Sequence, residues 1–185
     1  PTLEAAAAAV AGIFAAGITP STCELLSQRA LACAEEHTGK TFPAEVREAE
    51  ASLLLEVDGH HSDDVERDGE RLGELVLELG AVDVLLAGTE EKARELWDIR
   101  RAMGEAVKAQ GDYREYDVSV PRNRIPAALR AIDEITAELG ARALSYGHAG
   151  DGNLHVNLLR DELSPERWQE VLAQAGPAIV SRIVS

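Results

Sequence analysis

The sequence holds only two cysteines, Cys23 and Cys33, and no Cys-x-x-Cys pair, which excludes a thiolate zinc site. Both fall in one stretch that reads as helix, where their spacing corresponds to about 15 Å of rise, beyond disulfide reach. Two reduced thiols fit a cytoplasmic protein. No apolar run approaches the roughly 20 residues that cross a bilayer, so no transmembrane segment is expected. The Ala-rich start, Ala5 to Ala16, has no basic flank and follows Glu4; it reads as a helix, not a signal peptide. Positive charge is scarce as well: 18 Lys and Arg stand against 33 Asp and Glu, a formal net charge of −15. Phosphate backbones need clustered Lys and Arg, so no nucleic-acid partner is expected. Anionic lipid surfaces are disfavoured for the same reason, and the bulk of the charge reads as solubility. No strand is followed by a Gly-rich phosphate loop, and no linker or low-complexity stretch interrupts the chain.

What is present is a chain of 185 residues, 45% hydrophobic and 28% charged, the size and composition of one soluble domain. Leu3 to Ala16 is a helix, broken at Gly17-Ile18-Thr19-Pro20. A second helix is expected over Thr22 to His37, stopped at Gly39. Ser52 to Val57 reads as a buried strand. Ser62 offers an N-cap to a helix that runs to Leu79 and stops at Gly80. Val82 to Leu86 reads as a short strand. Thr89 caps a helix to about Gln110. Tyr113 to Val120 alternates as a strand does, and Pro121 ends it. A helix over Ile125 to Leu139, strands over Ala143 to Ala149 and Leu154 to Leu159, and a helix opening at Ser164-Pro165 follow. Lone strands alternating with single helices suit a parallel doubly wound sheet or split β-α-β units. Without a phosphate loop the second is favoured. The expected fold is α+β: a mixed or antiparallel sheet with helices on one face, built as two ferredoxin-like split β-α-β halves.

Chemistry concentrates in one hairpin. Asp151-Gly152 between two strands is a strong turn signal, because both positions call for positive φ. A two-residue turn there sets Ala149 opposite Leu154 and His148 opposite His155. Directly opposed residues share a face, with Cβ atoms about 4.5–5.5 Å apart, so the two imidazoles can converge on one metal ion. The face carrying them also carries Tyr146, Asn153 and Asn157, and is polar. The other carries Ala149, Leu154, Val156 and Leu158, and is apolar. A slip by one residue would scramble that division. Two histidines on a hairpin are more often solvated or hydrogen-bonded than metal-bound. A metal also needs a third protein ligand, and none lies at a fixed distance in the sequence.

The run Gly147-His148-Ala149-Gly150-Asp151-Gly152-Asn153-Leu154-His155-Val156-Asn157 resembles the signature of the FAD-linked oxidase C-terminal domain. That domain occurs in bacterial glycolate oxidases, D-lactate dehydrogenases and D-2-hydroxyglutarate dehydrogenases. Leu96-Trp97-Asp98-Ile99-Arg100 resembles the family's Leu-Trp-x-x-Arg. Asp117-Val118-Ser119-Val120-Pro121-Arg122 and Gly17-Ile18-Thr19-Pro20 with the following Glu24-Leu25 are also similar, in the family's order, over nearly the whole chain.

The resemblance implies that residues 1–185 are the substrate-binding (cap) domain of a flavin-dependent 2-hydroxyacid dehydrogenase. FAD would be bound mainly by a separate domain, absent from this chain, which becomes its partner within the same polypeptide. The reaction implied is oxidation of a 2-hydroxy acid, of D-lactate or glycolate type, to the 2-keto acid. His148 and His155 would bind a divalent metal such as zinc. Arg100 would pair with the substrate carboxylate through its planar fork, and Asn157 would contact substrate. Arg100 has an alternative, an ion pair with nearby acidic residues on the helix surface. A Glu-His-Gly segment of the family, carrying the last metal ligand and the base, falls beyond Ser185, so no catalytic residue is expected within the chain and the fragment alone is expected to be inactive. Hydroxyglutarate-type members place a Thr and a Lys near the distal carboxylate where this chain has Gly104 and Glu115, which favours a short monocarboxylate. The alternative reading is a free-standing α+β ligand- or metal-binding module without catalysis.

Overall fold

In a computed structural model the described residues are 2–184. Helix α1 (Leu3–Ala15) begins under a Thr2 cap that accepts from the Ala5 amide at 3.1 Å. There follow β1 (Thr22–Ser27), α2 (Gln28–Thr38), the short α3 (Ala44–Glu48), β2 (Ala51–Glu56), α4 (Ser62–Glu78) and α5 (Glu90–Ala109). The C-terminal half adds β3 (Tyr113–Ser119), α6 (Ile125–Leu139), β4 (Arg142–His148), β5 (Asn153–Leu159) and α7 (Pro165–Val184). Thr89 caps α5 as expected, accepting from the Lys92 amide at 3.2 Å. Ser62 instead lies just inside α4, with His61 at the cap and no side-chain cap bond. No helix among the described residues is long and apolar enough to cross a membrane.

The fold is α+β with one five-stranded sheet in the order β2-β1-β4-β5-β3, every neighbouring pair antiparallel. β3 and β4 therefore run parallel to each other, joined by α6, with β5 between them. β1 and β2 are adjacent and antiparallel.

Three expectations are corrected. Thr22 to His37 is not one helix: Thr22–Ser27 is the second strand of the sheet, buried from Cys23 to Ser27, and only Gln28–Thr38 is helical. β1 sits between two partners, so ladder bonds and burial on both faces override the local helical pattern. Ser27 then caps α2, accepting from the Ala30 amide at 3.4 Å. Second, Val82 to Leu86 is not a strand; it is irregular, with Val82 and Leu86 well exposed. It pairs with no strand among the described residues, and an apolar run without a ladder partner gains nothing from extension.

Third, helices cover both faces of the sheet. Helices α1, α6 and α7 bury Val10, Ile132, Val171 and Ile179 against Leu25, Val118, Leu154, Val156 and Leu158. α4 extends this layer, packing Leu72 and Val76 with Ile13 of α1. On the opposite face α2 and α5 bury Leu31, Ile99 and Met103 against Leu26, Leu144, Tyr146 and Leu159. So the face expected to be polar carries a second, smaller core along part of its length. The polar residues occupy the rest.

Candidate functional site

The hairpin of β4 and β5 does not close through a two-residue turn. His148 is opposite Asn153, Gly147 opposite Leu154 and Tyr146 opposite His155. Ala149 to Gly152 form a four-residue connection, in which the His148 carbonyl accepts from the amides of Asp151 and Gly152 at 3.2 and 3.1 Å. The expected pairing of His148 with His155 is therefore out by two residues. The cause lies outside the hairpin: the Gly150 amide donates to the Cys23 carbonyl, and the Gly152 carbonyl accepts from Val120, each at 3.0 Å. Gly150 thus binds β1, and the Ala149 amide turns back to the Gly147 carbonyl at 3.0 Å, so neither pairs across the hairpin. A shift of two preserves side-chain parity, so both imidazoles still lie on one face. Their ring centroids are 5.6 Å apart, edge to face.

Each imidazole is held by carboxylate. His148 Nδ1 lies 2.5 Å from Glu24 Oε1. His155 Nδ1 lies 2.8 Å from Asp117 Oδ1 and 3.1 Å from Glu115 Oε1. Ionised carboxylates only accept, so in the neutral rings Nδ1 carries the proton and Nε2 keeps its lone pair. That is the arrangement of a metal-binding histidine whose other nitrogen is tied to an acid. The donor chemistry fits a divalent ion approached by both rings. Glu115, Asp117 and His155 also offer a second donor set, with ligand atoms all within 4.8 Å of one another.

Arg100 is not on the helix surface. It projects from α5 onto the sheet, with its side chain 10% exposed, and both Nε and Nη2 donate to Glu24 Oε2, at 2.8 and 2.6 Å. Nη1 is not part of this pairing. The guanidinium also lies over the Tyr146 ring, 5.0 Å from its centroid, and Tyr146 in turn stands 5.3 Å from the His155 ring. Burial holds the Tyr146 phenol above its ordinary range, with Glu115 adding to the shift and Arg100 opposing it. It is a neutral donor at physiological pH.

Asn157 stands on the same face, paired across the ladders with Leu144 and Glu115. It is buried, and its Nδ2 makes no well-formed hydrogen bond among the described residues, although Asn157 stands near enough to the Tyr146 phenol to oppose that group's upward shift. Leaving an amide donor unmet in a buried site costs about 1–3 kcal/mol, so Asn157 is poised to donate to a bound group. Gly104 faces the same region: a Cβ there would approach the Tyr146 hydroxyl at 4.0 Å.

The structure thus places His148, His155, Arg100 and Asn157 on one sheet face, grouped about Tyr146. Sequence reasoning did not single out Glu24, which it placed in a helix, nor Asp117, and Tyr146 was read only as a member of the polar face. A buried acid opposite a histidine is visible only once β1 is recognised as a strand.

The family description "FAD linked oxidases, C-terminal domain" matches residues 1–184. The chain is 34% identical over 175 residues to a D-lactate dehydrogenase of Anaerostipes hadrus, covering 92% of this chain and 37% of that protein. It is 35% identical over 164 residues to glycolate oxidase subunit GlcD of Escherichia coli K12, covering 88% of this chain and 32% of that protein. A mitochondrial D-2-hydroxyglutarate dehydrogenase of Bos taurus is 32% identical over 151 residues, 78% of this chain and 26% of that protein. The chain spans about a third of the length of these relatives.

Proposed function

The chain belongs to the family of FAD-linked oxidase C-terminal domains, and from that premise we propose that it is the substrate-side domain of a flavin-dependent 2-hydroxy acid dehydrogenase or oxidase. FAD would be held mainly by a further domain of the same polypeptide, and residues 1–185 contain no Glu-His-Gly segment. The relatives' names give three substrates; the side chains here favour the short ones.

The observation that carries the reading is the grouping of Arg100, Asn157, His148 and His155 about Tyr146 on one sheet face. Arg100 binds the substrate carboxylate through the nitrogen that Glu24 leaves over, a charge-assisted contact in a partly desolvated site. The Asn157 amide donates to a substrate oxygen and so loses its unmet state. Tyr146, neutral and buried beneath Arg100, keeps water from the guanidinium. His148 and His155 present lone pairs to a divalent ion such as zinc, which when bound polarises the substrate hydroxyl and carboxylate as a Lewis acid. FAD would supply the hydride acceptor for the hydroxyl-bearing carbon, and the hydroxyl proton would pass to a base that these residues do not supply.

Substrate size follows from charge. Glu115 and Asp117 flank His155 at 3.1 and 2.8 Å, and position 104 is glycine. A second, distal carboxylate near this edge would meet the carboxylates of Glu115 and Asp117. We therefore assign a monocarboxylic 2-hydroxy acid, of D-lactate or glycolate size.

The test is anaerobic reduction of the complete flavoprotein. D-lactate or glycolate should bleach the flavin absorbance, and D-2-hydroxyglutarate should do so at least tenfold less efficiently. A flavin that no 2-hydroxy acid reduces would remove the activity. Preferential reduction by the dicarboxylate would remove the size assignment alone.

A further inference from the structure

We propose that Glu24 is a positioning residue that sets the tautomer of His148, and that Arg100 makes this setting obligatory. The inference rests on the metal reading above and extends it to a residue on another strand.

Glu24 lies within β1 with its side chain 6% exposed. The ladder places it directly opposite His148 of β4, so backbone register and not side-chain choice brings the two together. α5 lowers Arg100 onto the same carboxylate from the face above. The two oxygens are divided between the partners: Oε2 receives both Arg100 contacts, at 2.8 and 2.6 Å, and Oε1 receives His148 Nδ1 at 2.5 Å. A carboxylate buried to this degree is retained only when paired and hydrogen-bonded, and here each oxygen has a partner.

The chemistry of an amide in its place shows what the carboxylate does. Arg100 has donors and no acceptor. A Gln at position 24 must therefore turn its carbonyl oxygen to Arg100, which leaves its NH2 facing His148. Nδ1 would then accept, and the ring proton would move to Nε2. A ring protonated at Nε2 has no lone pair left there for a metal. Glu24→Gln thus keeps shape, volume and both contacts, and changes which nitrogen of His148 is available. Loss of an acid behind a ligand imidazole weakens metal affinity by about 10–100-fold.

The experiment uses the complete flavoprotein labelled with 15N-histidine, at about pH 8 where an ordinary imidazole is neutral. The wild-type His148 ring should give the signal of the Nδ1–H tautomer, and Glu24→Gln that of the Nε2–H tautomer. Zinc affinity, read by competition with a chromophoric chelator, should fall at least tenfold in the variant. A His148 signal of the Nε2–H form in the wild type, or a signal that Glu24→Gln leaves unchanged, overturns the assignment. A variant that switches tautomer but binds zinc as tightly as wild type also overturns it. If neither protein binds zinc and the tautomer still switches, the metal reading falls and the Glu24 assignment stands. Should Glu24→Gln fail to fold, the wild-type tautomer signal decides.

Discussion

Gly152 and Val120 lock the site hairpin to the strand end beside it: the Val120 amide donates to the Gly152 carbonyl at 3.0 Å, and a Cβ on Gly152 would run into the Val120 carbonyl oxygen. Gly152 also has φ of 84°, a conformation that costs other residues free energy. Strain and overlap act together, so Gly152→Ala should destabilise the protein by more than about 2 kcal/mol. Urea unfolding measures this directly. A loss within about 0.5 kcal/mol would mean that the loop can reorganise without the Val120 contact.

Cys23 tests the burial of β1. Its thiol is pushed up to about 12, first by desolvation and then by neighbouring Glu24, with Arg122 opposing. Folded protein should therefore resist a disulfide reagent at about pH 8, since the thiolate is the reactive form. The sign for stability follows. In the unfolded chain the thiol ionises near pH 8.5, whereas in the folded chain it stays protonated. The unfolded state then releases the proton first, so this contribution is intact below about pH 8.5 and lost as pH rises toward 12. Denaturant unfolding from pH 7 to 10 should show a shallower decline in Cys23→Ala than in wild type. Equal slopes would place the thiol in water.

The strands and helices that carry a strong periodic pattern were legible in the sequence: α1, α5, α6 and the pair β4 and β5 stand close to where alternation and caps put them. β1 was not, because Leu25, Leu26 and Ala30 also fit a helical face, and only the neighbours β2 and β4 make the strand the better solution. The face of the histidines was legible from parity. Their register was not, because it is set by Cys23 and Val120, residues far away in sequence whose backbone groups capture the loop. Arg100 and Asn157 were singled out through the family motif, and both prove to be buried. Glu24 lay hidden behind the misread β1, which is why the buried acid linking Arg100 to His148 emerges only in the folded structure.

Arg100→Lys probes the substrate side. Arg100 gives two nitrogens to Glu24 and keeps Nη1 over. A lysine has one ammonium and must divide it between Glu24 and the substrate, with no fork to serve both. In the complete flavoprotein catalytic efficiency should fall more than tenfold, about 1.4 kcal/mol of transition-state binding. The protein should remain folded, because the charge next to Glu24 is kept. Unchanged efficiency would reduce Arg100 to a structural partner of Glu24.

Two donor sets share His155, and zinc content separates them. One is His148 with His155. The other is Glu115, Asp117 and His155, whose ligand atoms lie within 4.8 Å of one another. Removing His155 damages either, so His155→Ala should lower bound zinc and turnover together in both cases. The two differ in the companions. In the first set Asp117 only orients the His155 ring, by accepting from Nδ1 at 2.8 Å, and His148 is a ligand. His148→Ala should then abolish stoichiometric zinc, whereas Asp117→Asn should weaken it by about 10–100-fold without abolishing it. In the second set the order reverses: Asp117→Asn removes a charged ligand and His148→Ala is nearly silent. Exposure does not separate the sets, since His148 is 49% exposed beside 43% for Glu115 and 66% for Asp117. The tautomers favour the first, because each Nδ1 faces a carboxylate and each Nε2 keeps its lone pair. Zinc content measured on the three purified variants decides: loss with Asp117→Asn but not with His148→Ala would move the metal to the acidic edge and leave His148 as a partner of Glu24 alone.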